Sequence, residues 1–294
     1  MSRWPPRVLG ALSLGVLSFA FAPILVRWAG DVPGVAIAAW RTGTAAAVLL
    51  PGLLQARVRT ELSRLSGRDL LVVGGAGAVL GLHFILWIES LSHTTVASAS
   101  VFVTSSPVIL AVLGYVVLGE RLTPGTVGAI VAAVGGAVLI AWADAGTVTL
   151  GRGALWGNSL AFGAALLVSL YLLVGRVVRQ SVSWWAYVPP LYAAAAACVL
   201  VVAWARGTPL LGYSWGFYGL CAALALGPQV LGHGSFNLAL QYTSAAVVGM
   251  LSLLEPVGAS VLAYLLFGEV PPPASLVGMG VVLGAVAVVV RRRN

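Results

Sequence analysis

The stretch HFILWIESLSHTTVASASVFVTSSPVILAVLGYVVLGERLTP, residues 83–124, decides how this chain is organised, because its second part occurs twice. At an offset of 149, eight of the eighteen positions from 107 to 124 carry the same residue type. The identical pairs are Pro107 and Pro256, Val108 and Val257, Val112 and Val261, Leu113 and Leu262, Tyr115 and Tyr264, Gly119 and Gly268, Glu120 and Glu269, and Pro124 and Pro273. Apolar sequence alone rarely aligns Pro, Tyr, Gly and Glu together, so the chain is predicted to be a duplication.

The composition indicates an integral membrane protein. Of 294 residues, 60% are hydrophobic and 8% are charged, whereas about a quarter of a soluble domain is charged. The net charge is +8, and all of the positive charge comes from arginine. In a soluble protein it would suggest nucleic acid, but here it indicates cytoplasmic loops, and no nucleic-acid partner is expected. Cys198 and Cys221 lie inside apolar runs, so neither a disulfide framework nor a zinc site is expected.

Ten apolar segments are long enough to cross a bilayer, which requires about 20 residues each. They are predicted at 7–29, 33–54, 70–90, 95–118, 125–143, 153–175, 184–204, 214–239, 245–267 and 274–290. No break between them could hold a soluble domain. The prediction is therefore one all-α membrane domain of two five-helix repeats, residues 1–146 and 147–294.

The arginines predict the orientation of the segments. With both termini in the cytoplasm, twelve arginines lie on the cytoplasmic side and three on the outer side, as the positive-inside rule requires. Because each repeat has five helices, the second enters the membrane inverted, which is a transporter architecture with its site near the midplane. Rows of small residues in helices 5 and 10 permit close packing within one chain or between two, so a monomer and a homodimer both stay open.

Arg41 lies within the second predicted span, in AIAAWRTGTAAAV. A guanidinium does not lose its charge, so it needs a carboxylate, carbonyl groups or an anionic part of a substrate. Arg41 is therefore a candidate anchor for a substrate carboxylate or a member of a gating ion pair. The alternative is a structural pair that reaches the outer interface.

Glu255 lies well inside the ninth span, next to Pro256, which removes a backbone hydrogen bond and opens the helix locally. A carboxyl group away from water binds its proton more tightly, which suits a proton carrier. The repeat counterpart of Glu255 is Ser106, so the acid exists in one half only, which favours a functional role. The alternative is a permanent ion pair with Arg41.

Two residue pairs each share one helix face, because their members are four residues apart. They are His83 with Trp87 and His233 with Asn237, related by an offset of 150. We expect them to face each other across the centre. The histidines could bind substrate, relay protons or bond between helices. Trp87 could stack on a ring or a cation, or serve as an interfacial anchor.

Other polar residues carry weaker hypotheses. Glu89 and His93 are expected to be hydrated near the outer end of helix 3. Glu120 and Glu269 are expected to complement the N-terminus of the helix that follows each. Gln229, Asn158 and Gln241 are lesser candidates for a cavity lining. The sequence contains no HExxH-type metal spacing, no nucleophile–base pair and no phosphate-binding glycine loop, so no metal, cofactor or enzymatic activity is expected.

The chain resembles the drug/metabolite transporter superfamily in its EamA-type branch. The resemblance covers nearly the whole length and rests on the motifs AAWRTG, HFILWIESLSHTTVASAS, LGERLTP, GHGSFNLALQYTSA, LLEPVGA and FGEVPPP. It implies a secondary transporter of the inner membrane that works by alternating access, often as an exporter. It also implies a central cavity between the halves, near Arg41, His83, Trp87, His233, Asn237 and Glu255. Helix 1 has no acidic residue, so the coupling mechanism of the small four-helix multidrug branch is not expected.

The leading hypothesis is an exporter of a small polar or amphipathic metabolite, such as an amino acid or a drug-like compound. Arg41 would bind an anionic group, Trp87 an apolar part, and Glu255 with His83 or His233 would carry a proton. A flippase for lipid or lipid-linked substrates is the alternative within transport. An intramembrane enzyme is the remote alternative.

Overall fold

A computed structural model describes residues 4–94, 99, 102–144, 152–268 and 270–291. Every regular element within these ranges is helical, which confirms the all-α prediction. The helices are α1 (Pro6–Ala20), α2 (Ala22–Trp28), α3 (Gly34–Leu49), α4 (Ala56–Leu62), α5 (Gly67–Ser90), α6 (Ser106–Leu118), α7 (Pro124–Asp144), α8 (Arg152–Val178), α9 (Trp184–Ala205), α10 (Trp215–Leu224), α11 (Gly234–Ala239), α12 (Ala245–Ser252), α13 (Leu254–Phe267) and α14 (Pro273–Arg291), with a 3-10 turn at Leu50–Leu54 and a π-helical segment at Ala225–His233.

Eight helical runs among the described residues are long and apolar enough to cross a membrane. Two of the ten predicted spans are not among them. The span 95–118 includes residues outside the described ranges, and its described helix, α6, has 13 residues. The span 214–239 is helical throughout but is divided by the π-helical segment between α10 and α11. The protein is thus a multi-pass membrane protein, and the count of ten spans stays a prediction.

Helix boundaries follow local capping chemistry. Ser66 begins α5 with a capping box, in which its hydroxyl accepts from the amide of Asp69 and the Asp69 carboxylate accepts from the amide of Ser66. Ser183 and Ser214 accept hydrogen bonds from amides in the first turns of α9 and α10. These side chains satisfy amide groups that would otherwise be unpaired at a helix start.

The duplicated stretches adopt the same local structure at their ends. Gly119 after α6 and Gly268 after α13 both have positive φ, 65° and 69°. This left-handed conformation ends each helix, and glycine adopts it without steric cost. Pro107 lies in the first turn of α6, and Pro256 lies just after the turn at Leu253 that separates α12 from α13. The opposite orientation of the two repeats, and the boundary at residue 146, stay predictions.

The rows of small residues divide into a packed and an unpacked set. A Cβ on Gly136 would lie 2.8 Å from the carbonyl oxygen of Gly278, and a Cβ on Gly278 would lie 2.6 Å from the carbonyl oxygen of Gly136. The helices α7 and α14 therefore pack against each other within one chain. Within the described ranges, no other element comes within 4 Å of a Cβ on Gly128, Gly280 or Gly284. Gly280 and Gly284, the row of small residues predicted in the tenth span, are thus not the part of α14 that approaches α7.

Helix α5 is enclosed by α8 and α9, and this packing positions the candidate site. A Cβ on Gly81 would lie 2.7 Å from the carbonyl oxygen of Ala195, and a Cβ on Gly77 would contact the carbonyl of Leu191. Glycine at both positions lets α5 approach the α9 backbone closely. The next turns of α5 carry His83 and Trp87 toward the middle of the helical bundle.

Candidate functional site

A cavity between helices of both sequence halves contains most of the candidate residues. Its volume of about 80 Å³ is well below the roughly 300–1,000 Å³ of a typical ligand pocket. This volume accommodates a few water molecules, so the cavity is contracted relative to such a pocket. Its lining comprises Phe19, Ala22, Arg41, His83, Phe84, Trp87, Val103, Thr104, Ser106, Val168, Leu172, Pro228, His233, Phe236, Ser252, Leu253, Glu255 and Pro256.

Arg41 lines this cavity from α3 with its side chain almost fully buried. Its Nε donates to Gln229 Oε1 at 3.1 Å, and the guanidinium carbon lies 3.9 Å from the centre of the Phe84 ring. The terminal nitrogens of Arg41 donate to none of the described residues, and no described carboxylate forms an ion pair with it. The hydrogen bond holds the Nε side of the guanidinium, and the Phe84 ring covers one of its faces. The outer edge, formed by the two terminal nitrogens, stays available to an anion.

The π-helical segment places Gln229 beside Arg41. Pro228 lacks an amide hydrogen, so it cannot complete an α-helical hydrogen bond within the segment. The backbone carbonyl of Gln229 accepts from Tyr192 Oη at 2.7 Å, which ties the segment to α9. Gln229 is fully buried, and its Nε2 has no partner among the described residues. π-Helical turns occur often at functional sites.

The two buried histidines lie next to each other and line the cavity. Their ring centroids are 6.1 Å apart with planes at 71°. Nδ1 of His83 is 2.8 Å from the carbonyl oxygen of Ala164 in α8. Nδ1 of His233 has no partner among the described residues, and its ring packs at the edge of Phe19 and Phe84. The structure therefore brings His83 and His233 together.

Trp87 and Asn237 are not equivalent across the centre. Trp87 lines the cavity, but Asn237 does not, and Phe236 lines it instead. The side-chain nitrogen of Asn237 donates to Tyr171 Oη at 2.5 Å and to the His233 carbonyl at 2.8 Å. The repeat explains the difference. The main repeat offset of 149 pairs Trp87 with Phe236, whereas the offset of 150 used in the sequence prediction pairs it with Asn237.

Glu255 faces the cavity from the first turn of α13 and is half-buried. Its carboxylate accepts no hydrogen bond from any described residue, and it forms no ion pair with Arg41 there. Ser106, its counterpart in the repeat, lines the same cavity. One cavity thus holds a cation and a carboxyl group that are not bonded to each other.

Glu89 and Glu120 lie outside the cavity and form ion pairs. Glu120 accepts from Arg176 Nε at 2.8 Å. This ion pair gives Glu120 a structural partner, and the expectation that it complements the N-terminus of α7 stays a prediction. Glu89 pairs with Arg206 at 2.8 Å, with both side chains partly exposed. His93 is exposed, and the predicted role of Glu269 lies outside the described residues.

Gln229, Asn158 and Gln241, the lesser candidates, do not line the cavity, although Gln229 contacts Arg41, which does. Asn158 accepts from Thr94 at 2.9 Å. Gln241 accepts from Arg179 Nη2 at 3.4 Å, near the C-terminal end of α8. Among the described residues, no group of three His, Cys, Asp or Glu side chains could hold a metal ion.

Comparison with known proteins identifies the family. A model of the EamA-like transporter family matches residues 7–142 and 155–291, which together make up most of the chain. The protein belongs to the EamA-like transporter family. It is therefore a membrane transporter and not an enzyme, as the resemblance of its motifs predicted.

Two relatives of this EamA-like transporter extend the comparison. A "Probable terminal-alkyne amino-acid exporter" of Streptantibioticus cattleyicolor is 27% identical, over 97% of this chain and 94% of that protein. A solved structure, described only as the crystal structure of a protein, matches 98% of this chain and 99% of its own with a TM-score of 0.81. At 20% identity, that second likeness shows the fold alone.

Sequence reasoning about this EamA-like transporter missed three aromatic residues of the cavity, Phe19, Phe84 and Phe236. The repeat offset, applied to Trp87, would have found Phe236. Phe19 lies in an apolar run like many others, and no local signal distinguishes it. Arg179, one of the twelve arginines predicted on the cytoplasmic side, is buried, and its Nε donates to the carbonyl of Asn237 at 3.0 Å.

Proposed function

We propose that this transporter exports a small amphipathic metabolite, foremost an α-amino acid with an apolar side chain, by alternating access. The observation that carries this proposal is the unpaired outer edge of Arg41, which lies in the same cavity as Glu255 and an aromatic wall. The likeness to an amino-acid exporter of S. cattleyicolor supports the same substrate class.

Each part of an amino acid has a complementary group in this cavity. The carboxylate would bind the terminal nitrogens of Arg41, which present two donors to two oxygens. The ammonium group would lie near Glu255 or donate a hydrogen bond to the His83 ring. An apolar side chain would pack on Phe19, Trp87 and Phe236, in addition to the ring of Phe84. Asn237, which was also a predicted site residue, would act through His233 rather than by contact.

Alternating access is supported by the contracted cavity and by contacts at both ends of the helical bundle. Toward the predicted cytoplasmic end, Arg176 pairs with Glu120 and donates to the carbonyl of Leu240 at 2.8 Å. Toward the predicted outer end, Arg206 pairs with Glu89. Each ion pair joins a residue of the first sequence half to a residue of the second. Opening of one end would therefore require one of these pairs to separate.

Proton coupling would use Glu255, with His83 and His233 as neighbouring proton acceptors. A carboxylate without a protein hydrogen-bond donor is costly in a contracted cavity, so proton uptake would accompany closure around Glu255. Arg41 faces the same space and opposes this uptake while its charge is unpaired. A substrate carboxylate on Arg41 would remove that opposition and would link substrate binding to protonation.

The chain would lie in the inner membrane as two inverted five-helix repeats with both termini in the cytoplasm. The distribution of arginines between the predicted loops supports this orientation. The rows at Gly128, Gly280 and Gly284 leave room for a second copy of the chain, and a monomer is the simpler form.

Counterflow in proteoliposomes tests the proposed function. Vesicles that contain the purified protein and unlabelled amino acid should accumulate labelled leucine or phenylalanine, and Arg41→Gln should raise KM by about tenfold or more. Amino amides, which lack the carboxylate, should compete poorly with the labelled amino acid for transport by the wild-type protein. Equal competition by acids and amides, with Arg41→Gln unchanged, would show that the cavity does not recognise a carboxylate.

A further inference from the structure

Gln229 is the only side chain among the described residues that accepts a hydrogen bond from Arg41. Its amide oxygen engages Nε, the nitrogen nearest the chain, at 3.1 Å. The terminal nitrogens are then left toward the cavity that Arg41 lines. The position of this contact therefore decides which edge of the guanidinium is open to a ligand.

The neutrality of Gln229 decides whether Arg41 keeps its charge for a ligand. A carboxylate at the same distance, away from water, would form a strong ion pair with the guanidinium. That pair would be permanent, because separating two buried opposite charges is costly. An amide oxygen aligns the guanidinium through one hydrogen bond and carries no net charge, so the positive charge stays uncompensated.

The position of Gln229 depends on an irregularity that is present in one half only. Helix α5 has 24 residues after its serine cap, whereas the run 215–239, which also follows a serine cap, has 25. A π-helical segment accommodates an extra residue without ending the helix. At the repeat offset of 149, Gln229 corresponds to the buried, apolar Leu80. The first half therefore offers no equivalent partner for Arg41.

We propose that Gln229 is the positioning residue that makes Arg41 selective for carboxylate-bearing substrates. The proposal rests on the proposed function, in which Arg41 binds the substrate carboxylate. Gln229 does so by holding Nε and by leaving the charge of Arg41 unpaired. The substrate carboxylate would then be the group that pairs with Arg41, since no described carboxylate forms an ion pair with it.

The test compares two glutamines that each accept from a buried arginine. Gln229→Glu should reduce the preference for leucine over leucinamide, measured as a ratio of KM values in counterflow, by about tenfold or more. Gln229→Met, which has a similar length and no charge, should reduce the ratio less. Gln241→Glu places the same charge beside Arg179, outside the cavity, and should leave the ratio unchanged.

A double variant separates alignment of Arg41 from a general effect on the fold. If Gln229 acts through Arg41, then Gln229→Glu should not change the ratio further in an Arg41→Gln background. If Gln229→Glu does not fold, Gln229→Met in the same two backgrounds carries the comparison. If both Gln229 variants keep the wild-type KM ratio while Arg41→Gln loses it, the role of Gln229 is overturned and the proposed function is not. A ratio that Arg41→Gln leaves intact would instead overturn the proposed function.

Discussion

The imidazole rings of His83 and His233 lie edge to face in the cavity, with centroids 6.1 Å apart. Nδ1 of His83 must carry a hydrogen, because its neighbour is the carbonyl oxygen of Ala164, which can only accept. In the neutral ring, Nε2 is then an acceptor. His83 is thus set to accept a hydrogen bond from a substrate ammonium or hydroxyl group.

Replacement of His83 by asparagine should weaken substrate binding without unfolding the protein. Asparagine can keep a donor near Ala164 but loses the Nε2 acceptor. We expect KM for leucine to rise by about tenfold, equivalent to about 1.4 kcal/mol, while the melting temperature changes little. His93→Asn, at an exposed position, is the control. An unchanged KM together with a large loss of melting temperature would indicate a purely structural histidine.

Glu255→Gln should uncouple transport from the pH gradient. The amide is close to the carboxyl in size and cannot exchange a proton. We expect gradient-driven accumulation of labelled leucine to disappear, while counterflow without a gradient continues. Glu89→Gln, which changes an acid outside the cavity, should retain gradient-driven accumulation. Accumulation that persists in Glu255→Gln would exclude Glu255 as the proton carrier.

Loss of the Glu120 and Arg176 ion pair should loosen one end of the helical bundle. The pair is about a fifth exposed, with side-chain values of 23% and 22%, so it contributes at most about 1 kcal/mol to stability. We expect Glu120→Gln to speed amide hydrogen exchange in residues 237–244, because Arg176 also bonds the Leu240 carbonyl.

A variant that keeps the charge provides the control for this ion pair. Glu120→Asp, which retains a carboxylate opposite Arg176, should keep slower exchange in the same segment than Glu120→Gln, and Glu89→Gln should not affect it. Exchange that is equally slow in Glu120→Gln would show that the other contacts close this end without the ion pair.

A large side chain at Gly136 should destabilise the protein, whereas the same change at Gly284 should not. Leucine at position 136 would overlap the backbone of Gly278 and separate α7 from α14, at a cost of about 1–3 kcal/mol. A Cβ at position 284 would have no neighbouring element of the described chain within 4 Å, so a leucine there starts from open space. Thermal unfolding in detergent checks both variants. A destabilised Gly284→Leu, or one with a changed oligomeric state, would reveal an interface between two copies.

Much of the local structure could be predicted from the sequence. The prolines and glycines of the repeat mark helix starts and ends, because Pro lacks an amide hydrogen and Gly adopts a left-handed turn without strain. Gly119 and Gly268 do end their helices in that conformation. The extra residue before His233 could not be interpreted, because a π-helical segment has no distinct signal in apolar sequence. The repeat offset of 149 would have indicated Phe236, rather than Asn237, at the cavity.

The sequence by itself determined the class of the protein: an apolar, arginine-rich, duplicated chain must bury its helices in a bilayer and must place any buried charge at a cavity or a partner. It also nominated Arg41, His83, His233 and Glu255, since charged and polar groups are rare in such spans. Only the tertiary structure decided their partners, because hydrogen bonds between helices depend on rotation and depth, which hydropathy does not specify. The contact of Arg41 with Gln229 rather than Glu255 is one such decision.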